Sequence, residues 1–198
     1  MSEFAMYFQL GWQHIADLEG YDHILFIAAL CAVYLLRDWK KVLVLVTAFT
    51  IGHSITLALS VLNFIKVPSA FIEFLIPVTI VITALTNVFR KNKDTAPDKV
   101  LLSYILALFF GLIHGMGFSN YLKSLLGTGD VLMPLFAFNV GLEFGQLLIV
   151  TAILLIAGIV VNLTNVKRRD WTMFLSSAIF GVAFLMTVER FSMLFTKA

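Results

Sequence analysis

Four histidines lie in apolar surroundings along this chain, and each has polar residues beside it. They are His14, His23, His53 and His114, and the chain contains no other histidine. Imidazole is the commonest metal ligand in proteins. An ionisable group inside a membrane span is by default a functional-site hypothesis because its burial in lipid is costly. The pattern therefore predicts a metal site embedded in a membrane.

Two carboxylates extend this set of donor groups. Asp22 directly precedes His23, where it caps the following helix, binds the metal jointly with the imidazole, or orients and polarises the imidazole as a ligand. Glu143 shares a helix face with Asn139 and Gln146 at spacing i, i+4 and i+7, and serves as a ligand, a base or a counter-charge. Imidazoles with a carboxylate suit a divalent transition metal such as Ni, Co or Zn. The predicted ligands are His14, His23, His53, His114, Asp22 and Glu143, with His14 alternatively a water-exposed histidine.

Three further charges lie in apolar runs. The neighbours Glu189 and Arg190 favour a structural ion pair, since pairing lowers the cost of burying either charge. Arg190 is alternatively the partner of Glu143. Glu73 lies near the end of an apolar run, where its carboxylate either reaches water or joins the site.

Composition defines the elements that must position these groups. Of 198 residues, 60% are hydrophobic and only 13% are charged, whereas soluble domains have about a quarter charged. A span takes about 20 residues, so we predict an all-α polytopic bundle of about six spans in one transmembrane domain, 1–198. The apolar runs are 22–36, 42–64, 70–89, 100–118, 131–162 and 172–196.

The N-terminal segment 1–20 differs from these runs. It carries three carboxylates and no Lys or Arg, unlike a signal peptide. We predict an amphipathic helix that lies on the membrane surface, with Tyr7 and Trp12 at the level of the headgroups. The net charge of +2, without a basic stripe, argues against nucleic-acid binding.

The positive charges predict an orientation in the membrane. Ten of the 14 Lys and Arg fall in the loops after the first, third and fifth runs: Arg37, Lys40, Lys41, Arg90, Lys91, Lys93, Lys99, Lys167, Arg168 and Arg169. Loops rich in Lys and Arg face the cytoplasm, which places both termini outside a multi-pass inner (cytoplasmic) membrane protein. The imidazoles and carboxylates then lie in the outer half, so we expect a cavity open to the outside above an apolar floor.

Several motifs, in this order, resemble those of the HupE/UreJ family over nearly the whole chain. They are Gly20-Tyr21-Asp22-His23-Ile24-Leu25-Phe26, Phe49-Thr50-x-x-His53-Ser54-x-Thr56-Leu57, His114-Gly115-x-Gly117-Phe118, Asn139-x-Gly141-x-Glu143-x-Gly145-Gln146 and Glu189-Arg190. The resemblance implies nickel or cobalt uptake, in proteins accessory to hydrogenase and urease. It carries metal binding onto His14, Asp22 and His23, and also onto His53 and His114. His14 lies eight residues before Asp22, which is farther than in the family's motif.

Two functions follow from these residues. The first is uptake of a divalent metal ion through a His and carboxylate site. The alternative is an intramembrane hydrolase with a His-ligated Zn, in which Glu143 or Asp22 is the base and Ser54 or Asn139 donates to the oxyanion. Its substrate would be a lipid or lipid-linked molecule of the outer leaflet. A third possibility is a metal-sensing or structural subunit that requires a protein partner of unknown identity.

Overall fold

The described part of the chain folds into helices. The structure is a computed structural model that describes residues 2–90, 97–126 and 131–196, without the side chains of 97–100, 102 and 196. Its helices are α1 (Glu3–Ile15), α2 (Asp22–Cys31), α3 (Trp39–Val61), α4 (Ser69–Phe89), α5 (Pro97–Gly117), α6 (Ser119–Leu126), α7 (Leu132–Leu163) and α8 (Arg168–Thr196), with a 3-10 turn at Leu36–Asp38. No strand occurs in these residues, so the all-α prediction is confirmed. The loops predicted within 91–96 and 127–130, and the extreme ends of the chain, lie outside the described residues.

Helix length identifies a multi-pass membrane protein. Four described helical segments are long and apolar enough to cross a membrane, namely Leu36–Val61, α4, α7 and α8. The pair α5 and α6, bent by 50°, adds a fifth if it counts as one span. The first predicted run, 22–36, is corrected, because its helix ends at Cys31 and rises only about 15 Å. The predicted count of about six spans is therefore not reached by length alone.

The chain unwinds after α2 because neighbouring helices satisfy its backbone. Asn87 of α4 donates to the carbonyl oxygen of Ala29 at 2.7 Å, and the Thr172 hydroxyl of α8 donates to that of Ala32 at 2.9 Å. The Arg168 guanidinium donates to the carbonyl of Val33. An unpaired backbone group in lipid costs several kcal/mol, so these contacts permit the helix to end here.

The helix α1 lies lengthwise against the first part of α7. The Phe4 ring packs against Phe136, with centroids 6.4 Å apart, and Phe8 packs against Phe144 at 5.6 Å. Close approach is possible because glycines lie at the contact: Gly11, Gly141 and Gly145, where an added Cβ would collide with the opposite backbone or with Ile15. Residues later in α1 contact residues later in α7, so the two helices run parallel to each other. Because α7 is long enough to cross the membrane, a helix that runs parallel to it does not lie flat on the membrane surface. The prediction of a surface helix is corrected accordingly.

A second glycine contact joins α3 and α5. A Cβ at Gly115 would collide with the carbonyl oxygen of His53, and a Cβ at Gly111 would collide with that of Phe49. Gly52 of α3 faces the α5 backbone in the same way. Small residues permit such close packing of membrane helices. The contact holds His53 beside the end of α5 that carries His114.

The two ends of the bundle differ in charge. At one end, here called the basic end, Arg169 of α8 donates to carbonyls of α4 at Asn87, Val88 and Arg90, and Arg168 pairs with Asp38 at 3.2 Å. At the other end, here called the open end, α4 begins and α8 finishes. Both charge and the position of the helix ends therefore distinguish the two sides of the bundle.

Candidate metal centre

All four imidazoles meet in the interior. His14 comes from the last turn of α1, His23 from the first turn of α2, His53 from α3 and His114 from the last turn of α5. The ring centroid of His23 lies 4.7 Å from that of His14, 6.1 Å from that of His53 and 5.2 Å from that of His114. The interruption between α1 and α2, residues 16–21, allows two helix ends to contribute histidines at one depth.

Three of the four rings form a compact donor set, here called the histidine triad: His14, His23 and His53. One ring nitrogen of each lies within 4.8 Å of the others. The Nε2 atoms of His14 and His23 and both ring nitrogens of His53 are buried without a hydrogen-bond partner. Buried polar atoms are nearly always paired. Unpaired nitrogens at this spacing can serve as ligands of one metal ion.

Asp22 orients the ring of His23. Its Oδ1 atom lies 3.0 Å from Nδ1 of His23 and accepts the backbone N–H of the same residue at 2.8 Å. The N-cap of α2 is Tyr21 rather than Asp22. A proton on Nδ1 leaves the lone pair on Nε2, the atom without a partner. Asp22 thus lies next to the triad as an orienting group and is not among its three donors.

His114 stands beside the triad and has a partner of its own. Its Nε2 lies 3.1 Å from the hydroxyl of Thr79, and that hydroxyl donates to the carbonyl of Ile76 at 2.6 Å. A hydroxyl has one proton, so Nε2 of His114 is the donor to Thr79. Its Nδ1, which has no partner, then carries the lone pair. His114 was predicted as a ligand, and this nitrogen is its one available donor atom.

His14 is suited to bind a cation although it lies in α1, outside the long spans. Burial, followed by the nearby His23 imidazole, lowers the pKa of His14 well below its ordinary value of 6.5. The ring is consequently neutral at neutral pH. Its face packs on Phe118, with centroids 3.9 Å apart, which fixes the ring in place.

Two other predicted site residues bond across the contact between α3 and α7 instead of joining the triad's donors. Thr47 donates to Oε1 of Glu143 at 2.7 Å, and the Ser54 hydroxyl lies 2.7 Å from both the Thr50 carbonyl and Oδ1 of Asn139. These contacts join α3 to α7. The expected meeting of Glu143 with the histidines is corrected, because its carboxylate points into this helix contact and is not part of the triad.

The charge pairs predicted for Arg190 are also corrected. Arg190 binds Oε2 of Glu73 at 2.9 Å, and not Glu143 or the adjacent Glu189. Neighbouring residues on a helix point in directions about 100° apart, so Glu189 and Arg190 do not face each other. The Glu73–Arg190 pair ties α4 to α8 at the open end.

A cavity of about 650 Å³ connects the histidines with the open end. Among its lining residues are His14, His23 and His114. It also carries the carboxylates of Asp17, Glu19, Asp22, Glu73 and Glu189, with Arg190 as the basic residue among them. An acidic cleft with low-dielectric walls raises the local concentration of cations.

Three phenylalanines, here called the aromatic floor, lie on the other side of the histidines: Phe26, Phe49 and Phe110. The centroid of Phe26 is 4.9 Å from that of Phe49 and 5.8 Å from that of Phe110. Each ring is at most 5% exposed. Each lies about one turn nearer the basic end than the histidine of its own helix. The floor therefore separates the histidines from the basic end.

Sequence reasoning missed two neighbours of the histidines. Thr79, the partner of His114, lies within the apolar helix α4, where nothing in the sequence distinguishes it from other threonines. Phe118, which packs on His14, is the last residue of the motif His114-Gly115-x-Gly117-Phe118, so the motif itself was the available signal.

Together these features define a multi-pass membrane protein with a buried histidine cluster beneath an acidic cavity. A family model described as "HupE / UreJ protein" matches residues 1–190. The chain therefore belongs to the HupE/UreJ family, as its motifs indicated, and this family is related to nickel and cobalt handling. No curated protein and no solved structure gives a significant match to the chain.

Proposed function

We propose that this protein takes up a divalent transition-metal ion, of the nickel or cobalt class, through the histidine triad. The observation that carries the proposal is the triad itself, whose three ring nitrogens lie within 4.8 Å of one another and include unpaired buried atoms. Neutral imidazole suits these metals. Family membership supports the same cargo.

The surroundings of the triad favour a cation. Asp22 holds the Nδ1 proton of His23 and raises the basicity of its Nε2. The triad lies where α1 ends and α2 begins, so the partial negative charge of one helix end is offset by the partial positive charge of the other, and Asp22 supplies the net negative charge. Interrupted helices meeting at a site in this way are typical of transporters. His114 supplies a fourth nitrogen, Nδ1, in the wall of the cavity through which the ion reaches the triad.

The direction of uptake follows from the charges at the two ends. Lys and Arg gather at the basic end, which we assign to the cytoplasm of a multi-pass inner-membrane protein with both termini outside. The acidic cavity then faces outward and collects the ion. Because the aromatic floor separates the triad from the cytoplasmic side, delivery requires a gate or a route past the floor.

No observation favours the hydrolase. Its base was expected in Glu143 or Asp22 and its oxyanion donor in Ser54 or Asn139. Asp22 is bonded to His23, and the other three side chains are engaged between α3 and α7. A general base must lie within hydrogen-bond reach of the water that it activates. We therefore retain uptake as the proposed function.

Metal flux into proteoliposomes tests the proposal. Purified protein is reconstituted, external Ni²⁺ or Co²⁺ is added, and accumulation inside is measured together with equilibrium binding. We expect His23→Gln and His53→Gln each to reduce both by about tenfold or more, since each removes a ligand nitrogen. The matched control is Gln13→Ala, an exposed neighbour of His14 on α1 that should leave both unchanged. Binding without accumulation would contradict uptake, and absence of binding would contradict the metal site as well.

A further inference from the structure

A line of polar side chains crosses the contact between α3 and α7. This polar seam comprises Thr47, Thr50 and Ser54 of α3 and Asn139, Glu143 and Gln146 of α7. Three side-chain hydrogen bonds of 2.7 Å cross it, namely Ser54 with Asn139, Thr50 with Gln146 and Thr47 with Glu143. Exposed apolar residues flank the seam, so its polarity contrasts with the membrane-facing surface around it.

The seam leads from the triad toward the basic end. Thr50 and Thr47 lie three and six residues before His53, so they are about 4.5 and 9 Å nearer the basic end along α3. Gln146 of α7 bonds to Thr50 at 2.7 Å and Glu143 bonds to Thr47. The aromatic floor lies on the other side of α3, where Phe49 faces α2 and α5. The seam is therefore a polar route that passes beside the floor.

Two atoms of the seam lack partners. Oε2 of Glu143 is buried without a hydrogen bond, although Oε1 accepts from Thr47. Gln146 is 0% exposed, and its Nε2 also has no partner, but this amide nitrogen is a donor that does not bind cations, so the oxygen of Glu143 alone carries the inference. A carboxylate oxygen left unpaired within a membrane span is costly and indicates an ion or proton that it binds.

We propose that Thr47, Thr50, Glu143 and Gln146 form a second cation-binding site, one through which the ion leaves the triad. The inference rests on the proposed uptake function and names the inward step of that function. The donors are a carboxylate, two hydroxyls and an amide oxygen. Such oxygen donors bind nickel-class ions more weakly than imidazoles and suit harder cations such as Mn²⁺.

Weak binding is the useful property of such a site. Conduction requires binding that permits both entry and departure, usually over several sites in series. Three imidazoles would hold the ion firmly, whereas the oxygen site would accept it briefly and release it toward the basic end. Glu143 supplies the charge that offsets part of the cost of moving a cation through this depth.

A binding experiment tests the second site independently of transport. The full-length protein in detergent is titrated with Mn²⁺, and bound ion is counted by electron paramagnetic resonance. We expect a Mn²⁺ ion that persists in His53→Gln and is lost, with affinity at least about tenfold weaker, in Glu143→Gln. The control is Thr151→Val, since the Thr151 hydroxyl of α7 bonds within its own helix, to Leu147. Mn²⁺ binding that is unchanged in Glu143→Gln, or lost in His53→Gln, would overturn the proposal.

A measurement of metal flux distinguishes between absence of the second site and absence of uptake itself. In proteoliposomes, Glu143→Gln should retain Ni²⁺ binding at the triad within about threefold, while accumulation falls about tenfold. Normal accumulation in this variant excludes the second site but leaves uptake intact. If the unaltered protein accumulates no metal, uptake fails, and the Mn²⁺ titration alone then decides whether the oxygen site exists. Thr47→Val, which keeps side-chain shape, should reduce flux in the same direction and covers the case in which Glu143→Gln fails to fold.

Discussion

Oδ1 of Asp22 lies 3.0 Å from Nδ1 of His23 and accepts the backbone N–H of the same residue at 2.8 Å. One carboxylate thus fixes both the start of α2 and the orientation of an imidazole. It also selects the tautomer in which Nε2 carries the lone pair, because Nδ1 keeps the proton. Asp22 therefore acts on the metal through His23, its neighbour in the sequence.

Replacing Asp22 should weaken metal binding without removing a ligand. In Asp22→Asn the amide no longer polarises the ring or fixes the Nδ1 proton by charge, so we expect Ni²⁺ affinity to fall about 10- to 100-fold. Isothermal titration of the purified protein measures the change. Asp170→Asn, the same exchange at an exposed position of α8, is the control. Equal affinities for the two variants would show that Asp22 does not act on the triad.

The contribution of His14 to metal affinity should change little in mildly acidic solution. Burial and the neighbouring His23 lower the pKa of His14 well below 6.5, and protons compete with metal only near and below the pKa of a ligand. We therefore expect the loss of Ni²⁺ affinity caused by His14→Gln to be nearly the same at pH 7.5 and at pH 6.5, because His14 is neutral at both. Titrations across this range measure it.

A water-exposed histidine peptide, whose rings keep an ordinary pKa near 6.5, is the reference for that experiment. Its Ni²⁺ affinity should already decline between pH 7.5 and 6.5, because its imidazoles begin to protonate there. If the loss of affinity in His14→Gln became smaller between pH 7.5 and 6.5, His14 would not be held neutral by its surroundings, and no loss at either pH would mean that it is not a ligand.

The sequence predicted that the histidines would meet, but it did not predict which of them form the triad or that Glu143 bonds elsewhere. Buried imidazoles in a lipid-facing bundle have few partners other than each other, so His23 and His53 were expected to share a site. The spacing of residues along the sequence does not determine how each helix is rotated about its axis, and this rotation decides which side chains face each other. For this reason the third member of the triad is His14, while His114 bonds to Thr79 and Glu143 bonds to Thr47.

The position of α1 shows a second limit. Its amphipathic pattern suits a helix on the membrane surface and equally a helix packed against another helix, because both bury one apolar face. Gly11 was visible in the sequence, but its meaning depends on Gly141 and Gly145 of α7, which lie far away along the chain. Long apolar runs were more informative, because hydrophobic length alone requires a helix such as α7.

Close packing of α3 on α5 should be necessary for the site. In Gly115→Ala the new Cβ collides with the carbonyl oxygen of His53 and with the hydroxyl of Thr56. Overpacking of this kind costs about 1–3 kcal/mol, so thermal unfolding in detergent should occur at a lower temperature. Because the collision is with His53 itself, Ni²⁺ affinity should fall in the same variant.

Gly181→Ala provides the matched comparison, since nothing lies within 4 Å of a Cβ at Gly181 in α8. Alanine is the better helix former by about 0.5–1 kcal/mol, and this variant should therefore unfold at an equal or higher temperature and bind Ni²⁺ as before. If Gly115→Ala behaved like Gly181→Ala in both measurements, α3 and α5 would not be in close backbone contact. His53 would then owe its position to other contacts, such as the packing of its ring on Phe138 at 6.4 Å.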